Sequence, residues 1–285
     1  MRWFMDAMSA LSLVIPAYNE AAVIAQAVRE AEAALASRFA EFEILVVDDG
    51  SADTTAVVVE QLRETAPHTR LVKHSANRGY GAALRTGFEA ARFDLIAFTD
   101  ADCQFDLGEL GMLAGLAGEY PIVAGWRVDR KDPWRRRFFS RGYNLLARTL
   151  CGTRVRDVDC ALKVFRRAAL AQLLPESRGF FVNTEMMTRA RQLGFEVVEV
   201  PVTHRPRASG ESKVSLREIP KTAARLLRFW WSNVVFAPKS TPVTPVVFQT
   251  RVALPTEATA PARLPAASSS PALPVAPTAR HQEAA

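Results

Sequence analysis

The chain has 285 residues, 49% of them hydrophobic and 23% charged, which is enough for one domain with a substantial buried core. Its formal net charge of +6 is too small for this length to indicate nucleic-acid binding, although it suits an anionic substrate or an anionic membrane surface. The three cysteines have neither the spacing of a zinc site nor the even number of a disulfide framework, so we expect a reducing, cytoplasmic compartment.

Short runs of Val, Ile and Leu alternate with helical patterns along most of the chain. The run LSLVIP precedes a helix at about 21–37, EILVVD one at about 54–64, and RLVKH one at about 80–91; LIAFTD, another helix and PIVAG follow. Strands buried on both faces read as such continuous apolar runs, and crossover helices separate parallel strands. The sequence therefore predicts an α/β fold with a mostly parallel, doubly wound sheet flanked by helices, which binds ligands at the carboxyl ends of its strands.

The two ends of the chain depart from this pattern. The residues before LSLVIP lack the basic start and cleavage site of a signal peptide, and no apolar run approaches the ~20 residues that span a bilayer. Nine of the 17 prolines follow Ala237, in a segment without glycine. Because such a segment buries too little apolar surface to offset the entropy of ordering it, we predict a folded domain over 1–236 and a disordered Pro/Ala-rich tail over 237–285.

Polar clusters follow three of the predicted strands. The first surrounds Asn19 and Glu20 and the second runs over 48–55, and helix capping is an alternative explanation for both. The third contains Asp100, Asp102 and Gln104, whose hard oxygen atoms suit Mg²⁺ or Mn²⁺ held jointly with substrate phosphates. A cation there would neutralise the charge that builds on a nucleoside diphosphate as its bond to a sugar breaks.

The chain resembles family 2 inverting glycosyltransferases with the GT-A fold in five segments, which read VIPAYNE, VVDDGSADTT, NRGYGAALRTGF, FTDADCQFD and VDCALKVFRR. Within that family it is most similar to the dolichyl- and polyprenyl-phosphate sugar synthases, over roughly residues 10–236. The resemblance implies transfer of a hexose, with inversion, from a donor of the GDP-mannose or UDP-glucose type to a polyprenyl or dolichyl phosphate. It also implies dependence on Mg²⁺ or Mn²⁺.

The resemblance implies roles for individual residues as well. Asp102 and Gln104 would bind the metal, and Asp102 would be catalytic together with Arg127 and Arg141, the two arginines that would meet the acceptor phosphate. The residues that would bind the nucleotide-sugar donor are Pro16, Tyr18, Glu20, Val47, Asp49, Asp100, Ala101, Asp102, Gln104, Arg207 and Lys213. The sequence departs from the family pattern at Asn183, where a donor-binding lysine is expected, and at Cys103, where an apolar residue is usual.

If the acceptor is a phosphate, the site must supply positive charge rather than a general base. The phosphate is anionic near neutral pH and can attack the anomeric carbon without a general base, so it needs a cationic clamp, for which the planar guanidinium is suited. Six arginines and one lysine lie between Arg127 and Arg141 inclusive. Most of them also fit a solvated surface, and the hypothesis requires only one or two as ligands.

Two amphipathic stretches, at 134–150 and 216–236, combine Trp, Phe and Leu with arginines. Such stretches can lie at a membrane interface, although packing against the core is an equally good explanation for the second. Together with a lipid-phosphate acceptor, they predict a protein that is peripheral to the inner face of the membrane.

Two alternative functions remain open at the sequence level. A family 2 enzyme with a saccharide acceptor would need a general base, for which Asp159, Glu185 and His204 are the candidates. A noncatalytic nucleotide-sugar-binding protein is disfavoured because the acidic motif around Asp102 is intact.

Overall fold

In a computed structural model, the described residues are 8–128, 134–206, 224 and 226–235. They include seven strands: β1 Met8–Ala17, β2 Phe39–Asp48, β3 Thr69–Lys73, β4 Leu95–Phe98, β5 Ile122–Val128, β6 Lys163–Arg166 and β7 Val197–Thr203. The strands form one sheet in the order β3-β2-β1-β4-β6-β5-β7. Strand β6 runs antiparallel to β4 and β5, and the other pairs are parallel, so the predicted mostly parallel sheet is confirmed.

Helices connect and flank these strands. Their bounds are α1 Ile24–Ala36, α2 Thr55–Leu62, α3 Tyr80–Ala90, α4 Leu110–Leu116, α5 Trp134–Cys151, α6 Arg167–Leu173 and α7 Val182–Gln192. A 3₁₀ turn at Leu107–Glu109 precedes α4, and a π-helix covers Trp231–Val235. The three helices predicted in the first 91 residues are confirmed, with α1 beginning later than expected because residues 21–23 form a turn. The backbone N–H groups of Val23 and Ile24 both donate to the carbonyl of Glu20 in that turn.

The central strands are buried on both faces, as their apolar runs predicted. The side chains of Leu11, Leu13 and Ile15 in β1, and of all residues from Ile44 to Val47 in β2, are completely buried. Burying each such aliphatic side chain stabilises the fold by about 1.5–3 kcal/mol. These strands therefore form a rigid base for the loops at their carboxyl ends.

The antiparallel direction of β6 places its first residue at the edge formed by the carboxyl ends of the parallel strands. Because β6 is antiparallel to β4, its first residue, Lys163, pairs with Phe98, the last residue of β4. The carboxyl ends of β1, β2, β4, β5 and β7 and the start of β6 therefore lie along one edge of the sheet. Over the described ranges, no helix combines the length and apolar character needed to cross a membrane. The predicted tail at 237–285 lies outside the described residues, as do Arg207 and Lys213.

Candidate active site

The loops after β1 and β2 bind each other directly. The backbone N–H of Asn19 donates to Ser51 Oγ (2.9 Å), and the N–H of Glu20 donates to Thr55 Oγ1 (2.9 Å). Asn19 Oδ1 in turn accepts from the N–H of Ala52 (2.8 Å). Neither α1 nor α2 has a side-chain hydrogen bond at its N-cap position, although Asp53 accepts from the N–H of Thr55 at the start of α2. These polar residues thus join the two loops.

Asp49 anchors a third loop to this pair. Its Oδ1 lies 2.6 Å from Nδ1 of the buried His74 and accepts from the N–H of Arg78 (2.9 Å), while Oδ2 accepts from the N–H of Gly79 (2.7 Å). A carboxylate offers about four acceptor positions, so one remains for a ligand. His74 was not identified from the sequence; its only signal was a polar residue directly after the RLVK strand.

The remaining predicted donor residues line the same edge. Pro16 and Val47 are direct partners in the β1–β2 register and both are buried. Ala101 is buried after β4, whereas Tyr18 is 37% exposed. The structure therefore brings the predicted donor residues of the three polar clusters to one edge of the sheet.

The turn after β4 concentrates negative charge in a buried position. The hydroxyl of Tyr80 donates to Asp100 Oδ1 (2.9 Å), and the N–H of Gln104 donates to Asp102 Oδ1 (3.3 Å). Burial and the charge of Asp102 together raise the pKa of Asp100 to about 6, against the opposing effect of the Tyr80 hydrogen bond. Burial also raises the pKa of Tyr80, so its phenol remains a hydrogen-bond donor. A cation at this turn would offset the repulsion between the two carboxylates.

The residues of this turn fit a divalent metal ion that is shared with a ligand. Gln104 Nε2 donates to the carbonyl of Arg205 (3.2 Å), which leaves its amide oxygen as a hard ligand. Within the part of the chain that the structure describes, no group of three or more His, Cys, Asp or Glu side chains could hold a metal by itself. Mg²⁺ is commonly held by one or two carboxylates together with substrate phosphates, and the donor set here matches that pattern. Burial raises the pKa of the neighbouring Cys103 to about 11, so its thiol stays protonated.

A cavity of about 430 Å³ lies beside β5 and α5 and is rich in arginine. Its lining consists of Trp126, Arg127, Arg137, Arg141, Asn144, Leu145, Arg148, Arg156 and Asp157. The structure therefore brings together Arg127 and Arg141, the two arginines predicted to meet an acceptor phosphate. The positive charge of Arg127 also lowers the pKa of Asp100, so this cavity lies within electrostatic reach of the acidic turn.

The two arginines have different environments. Arg127 is buried and donates to both oxygens of Asp157, from Nε to Oδ2 (2.6 Å) and from Nη2 to Oδ1 (2.8 Å). Burial alone lowers the pKa of Arg127, but the hydrogen bonds to Asp157 and the charge of that residue outweigh it and raise the pKa. Arg141 is exposed on α5. From the sequence, both arginines were expected to bind the acceptor phosphate. Nothing in it identified Asp157, 30 residues away, as the partner of Arg127.

Lys163 is the first residue of β6, which lies between β4, before the acidic turn, and β5, beside the arginine cavity. It is 1% exposed, and its ammonium donates to the carbonyls of Val158 (3.0 Å) and Cys160 and to Asn183 Oδ1 (3.3 Å). Burial lowers the pKa of Lys163. Asn183, where the family pattern has a lysine, is therefore in contact with a buried lysine from β6.

The three candidate bases of the saccharide alternative lie in different places. Glu185 is buried and accepts from the N–H groups of Glu176 and Ser177 (both 2.9 Å), so it holds a loop. His204 forms a β-bridge with Phe105 and is buried. Asp159 is half-buried, and its charge contributes to the raised pKa of Tyr80, which is hydrogen-bonded to the acidic turn. Asp159 thus acts electrostatically on a residue bound to the acidic turn, and His204 pairs with the residue that follows Gln104.

Known proteins share the family of this chain. The family model described as Glycosyl transferase family 2 matches residues 12–174. Glycosyltransferase AglD of Haloferax volcanii is 36% identical over 236 residues, which cover 79% of this chain and 38% of that protein. The undecaprenyl-phosphate 4-deoxy-4-formamido-L-arabinose transferase of Sodalis glossinidius is 36% identical over 213 residues, which cover 73% of this chain and 64% of that protein. The matched region thus spans less than two thirds of either relative.

A solved structure has the same fold. The glucosyl-3-phosphoglycerate synthase of Mycobacterium tuberculosis, in complex with Mn²⁺, uridine diphosphate and glucosyl-3-phosphoglycerate, superimposes with a TM-score of 0.62. The alignment covers 81% of each chain at 19% sequence identity, so it establishes the architecture of the sheet and its flanking helices.

Proposed function

The chain belongs to glycosyltransferase family 2, and on that basis we propose that it transfers a hexose, with inversion, from a nucleotide-sugar donor of the GDP-mannose or UDP-glucose type to a polyprenyl or dolichyl phosphate. The observation that carries the acceptor half of this proposal is the cavity lined by Arg127 and Arg141, within electrostatic reach of the acidic turn. The name of the Sodalis glossinidius relative, an undecaprenyl-phosphate transferase, supports the same acceptor class.

The donor half rests on the loops after β1, β2 and β4. Pro16, Tyr18, Glu20, Val47 and Asp49 would hold the base and ribose, and Asp100 and Ala101 would line the nucleotide site. Asp102 and Gln104 would bind Mg²⁺ or Mn²⁺, which when present supplies positive charge to the departing diphosphate. Arg207 and Lys213, outside the described residues, would cover the donor phosphates.

The acceptor half depends on charge and position. Arg127 uses Nε and Nη2 on Asp157, which fixes its plane and leaves its other N–H groups for an acceptor oxygen. Arg141 adds a second cation from α5. An acceptor phosphate oxygen would then form its bond to the anomeric carbon as the bond to the nucleoside diphosphate breaks on the opposite face, with the electron pair leaving on the diphosphate. No proton has to be removed, so the site requires no general base.

We also propose that the protein acts at a membrane surface. Large apolar side chains are exposed on α5 and on the π-helix, with Trp134 71%, Phe138 68% and Trp231 57% exposed. Leu145, 63% exposed, lines the arginine cavity and would give a lipid chain an apolar edge beside the phosphate site. A helix with such residues and arginines can lie in the interface while its acceptor stays in the bilayer.

The test is a panel of nucleotide sugars with a short polyprenyl phosphate and Mn²⁺, scored by mass spectrometry for the lipid-linked sugar. We expect one donor to give product, and Arg141→Ala to lose at least about tenfold of it while nucleotide binding is retained. Asp159→Asn separates the saccharide alternative, because it should leave transfer to the lipid phosphate intact. Nucleotide binding without turnover on any acceptor would favour a noncatalytic binding protein.

A further inference from the structure

A second cationic cavity, of about 460 Å³, lies next to the arginine cavity of the proposed acceptor site. Its lining consists of Arg148, Gly152, Thr153, Arg154, Arg156 and Arg191. It shares Arg148 and Arg156 with the first cavity, but neither Arg127 nor Arg141 contributes to it. Four of its six lining residues are arginines and none is acidic, so the proposed reaction leaves this concentration of positive charge unexplained.

The end of α5 is built so that one of these arginines lies against the backbone. Gly152 follows the last residue of α5 and has a φ of 65°. A Cβ atom at this position would lie 2.5 Å from Nη1 of Arg191, so a larger residue would force the guanidinium to shift. Arg191 Nη1 donates to the carbonyl of Cys151 (3.3 Å), which fixes the group over the turn.

Arg148 and Arg156 are fixed in comparable ways. Arg148 donates from Nε to the carbonyl of Val155 (3.0 Å) and from Nη2 to the carbonyl of Arg156 (2.9 Å). The guanidinium of Arg156 lies 5.0 Å from the centre of the Trp126 ring. Carbonyl oxygens and aromatic rings orient a guanidinium without cancelling its charge. The guanidinium groups of Arg148, Arg156 and Arg191 therefore keep their charge and are held in fixed orientations around this cavity.

Two of these arginines lie at the cavity without a carboxylate from the described ranges in ion-pair contact. Neither Arg148 nor Arg191 forms an ion pair with a carboxylate of the described residues. Glu199 is buried and accepts from the N–H of Arg156 (2.6 Å), and burial raises its pKa, while Asp157 is bound to Arg127. In addition, the buried hydroxyl of Thr153 has no hydrogen-bond partner among the described residues.

We propose that this cavity is a second phosphate-binding site, separate from the site of sugar transfer. Preoriented guanidinium groups around one space match the oxygens of a phosphate group, because each can donate two parallel hydrogen bonds. The phosphate belongs either to an anionic lipid headgroup or to a free phosphate ion. The site depends only on its own residues and does not require the proposed transfer reaction.

The experiment titrates the full chain with inorganic phosphate and follows backbone amides by NMR, because the Gly152 and Thr153 amides report on this cavity alone. We expect saturable shifts at these two amides, with an affinity weakened at least about tenfold in Arg154→Gln/Arg191→Gln. Arg63→Gln removes an exposed arginine that does not line the cavity and should leave the affinity unchanged. Arg141→Ala should also leave these two amides responsive, which separates this site from the acceptor site.

The proposal is overturned if the two amides do not shift saturably, if the double variant binds phosphate as tightly as the wild type, or if Arg63→Gln weakens binding equally. The last result would indicate diffuse attraction by net charge. A parallel arm measures sedimentation with vesicles of phosphatidylglycerol or of phosphatidylcholine. When the amide titration succeeds, a tenfold loss of the double variant from phosphatidylglycerol vesicles assigns the site to lipid headgroups, and unchanged sedimentation assigns it to free phosphate.

Discussion

Replacing Arg127 by methionine is expected to destabilise the fold as well as to impair the acceptor site, whereas the same change at Arg141 should impair only the acceptor site. The difference follows from burial. The side chains of Arg127 and Asp157 are 8% and 9% exposed and make two hydrogen bonds to each other. Methionine keeps much of the side-chain volume, so the main effect of Arg127→Met is to remove the two hydrogen bonds and the positive charge that Arg127 gives to the buried carboxylate of Asp157.

The expected size of this effect is large. Breaking a buried ion pair by removing one partner typically costs about 3–5 kcal/mol in the free energy of unfolding. For a domain of about 150–250 residues, each kcal/mol changes the melting temperature by about 2–4 °C. We therefore expect Arg127→Met to melt about 6–20 °C below the wild type, and Arg141→Met, an exposed change worth about 0.5 kcal/mol or less, to melt within about 2 °C of it.

The assay is thermal denaturation followed by circular dichroism on the wild type, both single variants and Arg127→Met/Asp157→Leu. Because an apolar pair of similar volume can replace a buried ion pair at little cost, the double variant should recover more than half of the lost melting temperature. Equal melting temperatures for Arg127→Met and Arg141→Met would refute the reasoning. So would a double variant that melts no higher than Arg127→Met.

Three further predictions concern other parts of the chain. Asp102→Asn should lower turnover by about 10²–10³ and remove the effect of Mn²⁺ on nucleotide affinity; near-normal turnover in a steady-state assay would contradict the metal assignment. Gly81→Ala should lower the free energy of unfolding by about 1–3 kcal/mol in urea denaturation, because its Cβ would lie 2.0 Å from the carbonyl oxygen of Ser177. Gly115→Ala is the matched control, because a Cβ atom at Gly115, in α4, would have nothing within 4 Å. This variant should raise the free energy of unfolding by about 0.5–1 kcal/mol. Equal losses in the two variants would disprove the packing argument. Truncation after Ala237 should leave the melting temperature and activity almost unchanged, and a large fall in either would show that the tail is part of the folded domain.

The features that the sequence predicted are those with a local cause. Buried parallel strands such as β1 and β2 need continuous apolar runs, and the acidic turn around Asp102 directly follows such a run, so both could be located from neighbouring residues. The direction of β6 could not be predicted, because its four residues, KVFR, fit either direction and only pairing with β4 and β5 selects one.

The partners of buried charges were equally inaccessible from the sequence. Lysine is rarely buried, and nothing near Lys163 in the sequence indicates that the carbonyls of Val158 and Cys160 would surround its ammonium. The pairing of His74 with Asp49 joins residues 25 positions apart through the β2–β3 register. Such contacts depend on tertiary geometry, and a single sequence has no periodicity that marks them.

The reversed strand β6 ends a continuous segment that carries most of the cationic cavities and is separate in sequence from the predicted donor loops. The predicted donor residues up to Gln104 come from the loops after β1, β2 and β4, whereas both cationic cavities are formed mostly by one continuous stretch from β5 through α5 to the start of β6. That stretch, residues 122–166, is joined to the rest of the sheet by the β4–β6 and β5–β7 pairs. Under the proposed function, we expect a chimera that exchanges 122–166 with a relative, and preserves those two strand pairs, to take the relative's acceptor while keeping its own nucleotide sugar. Under the same proposal, recombination at this boundary is a route to new pairings of sugar donor and acceptor.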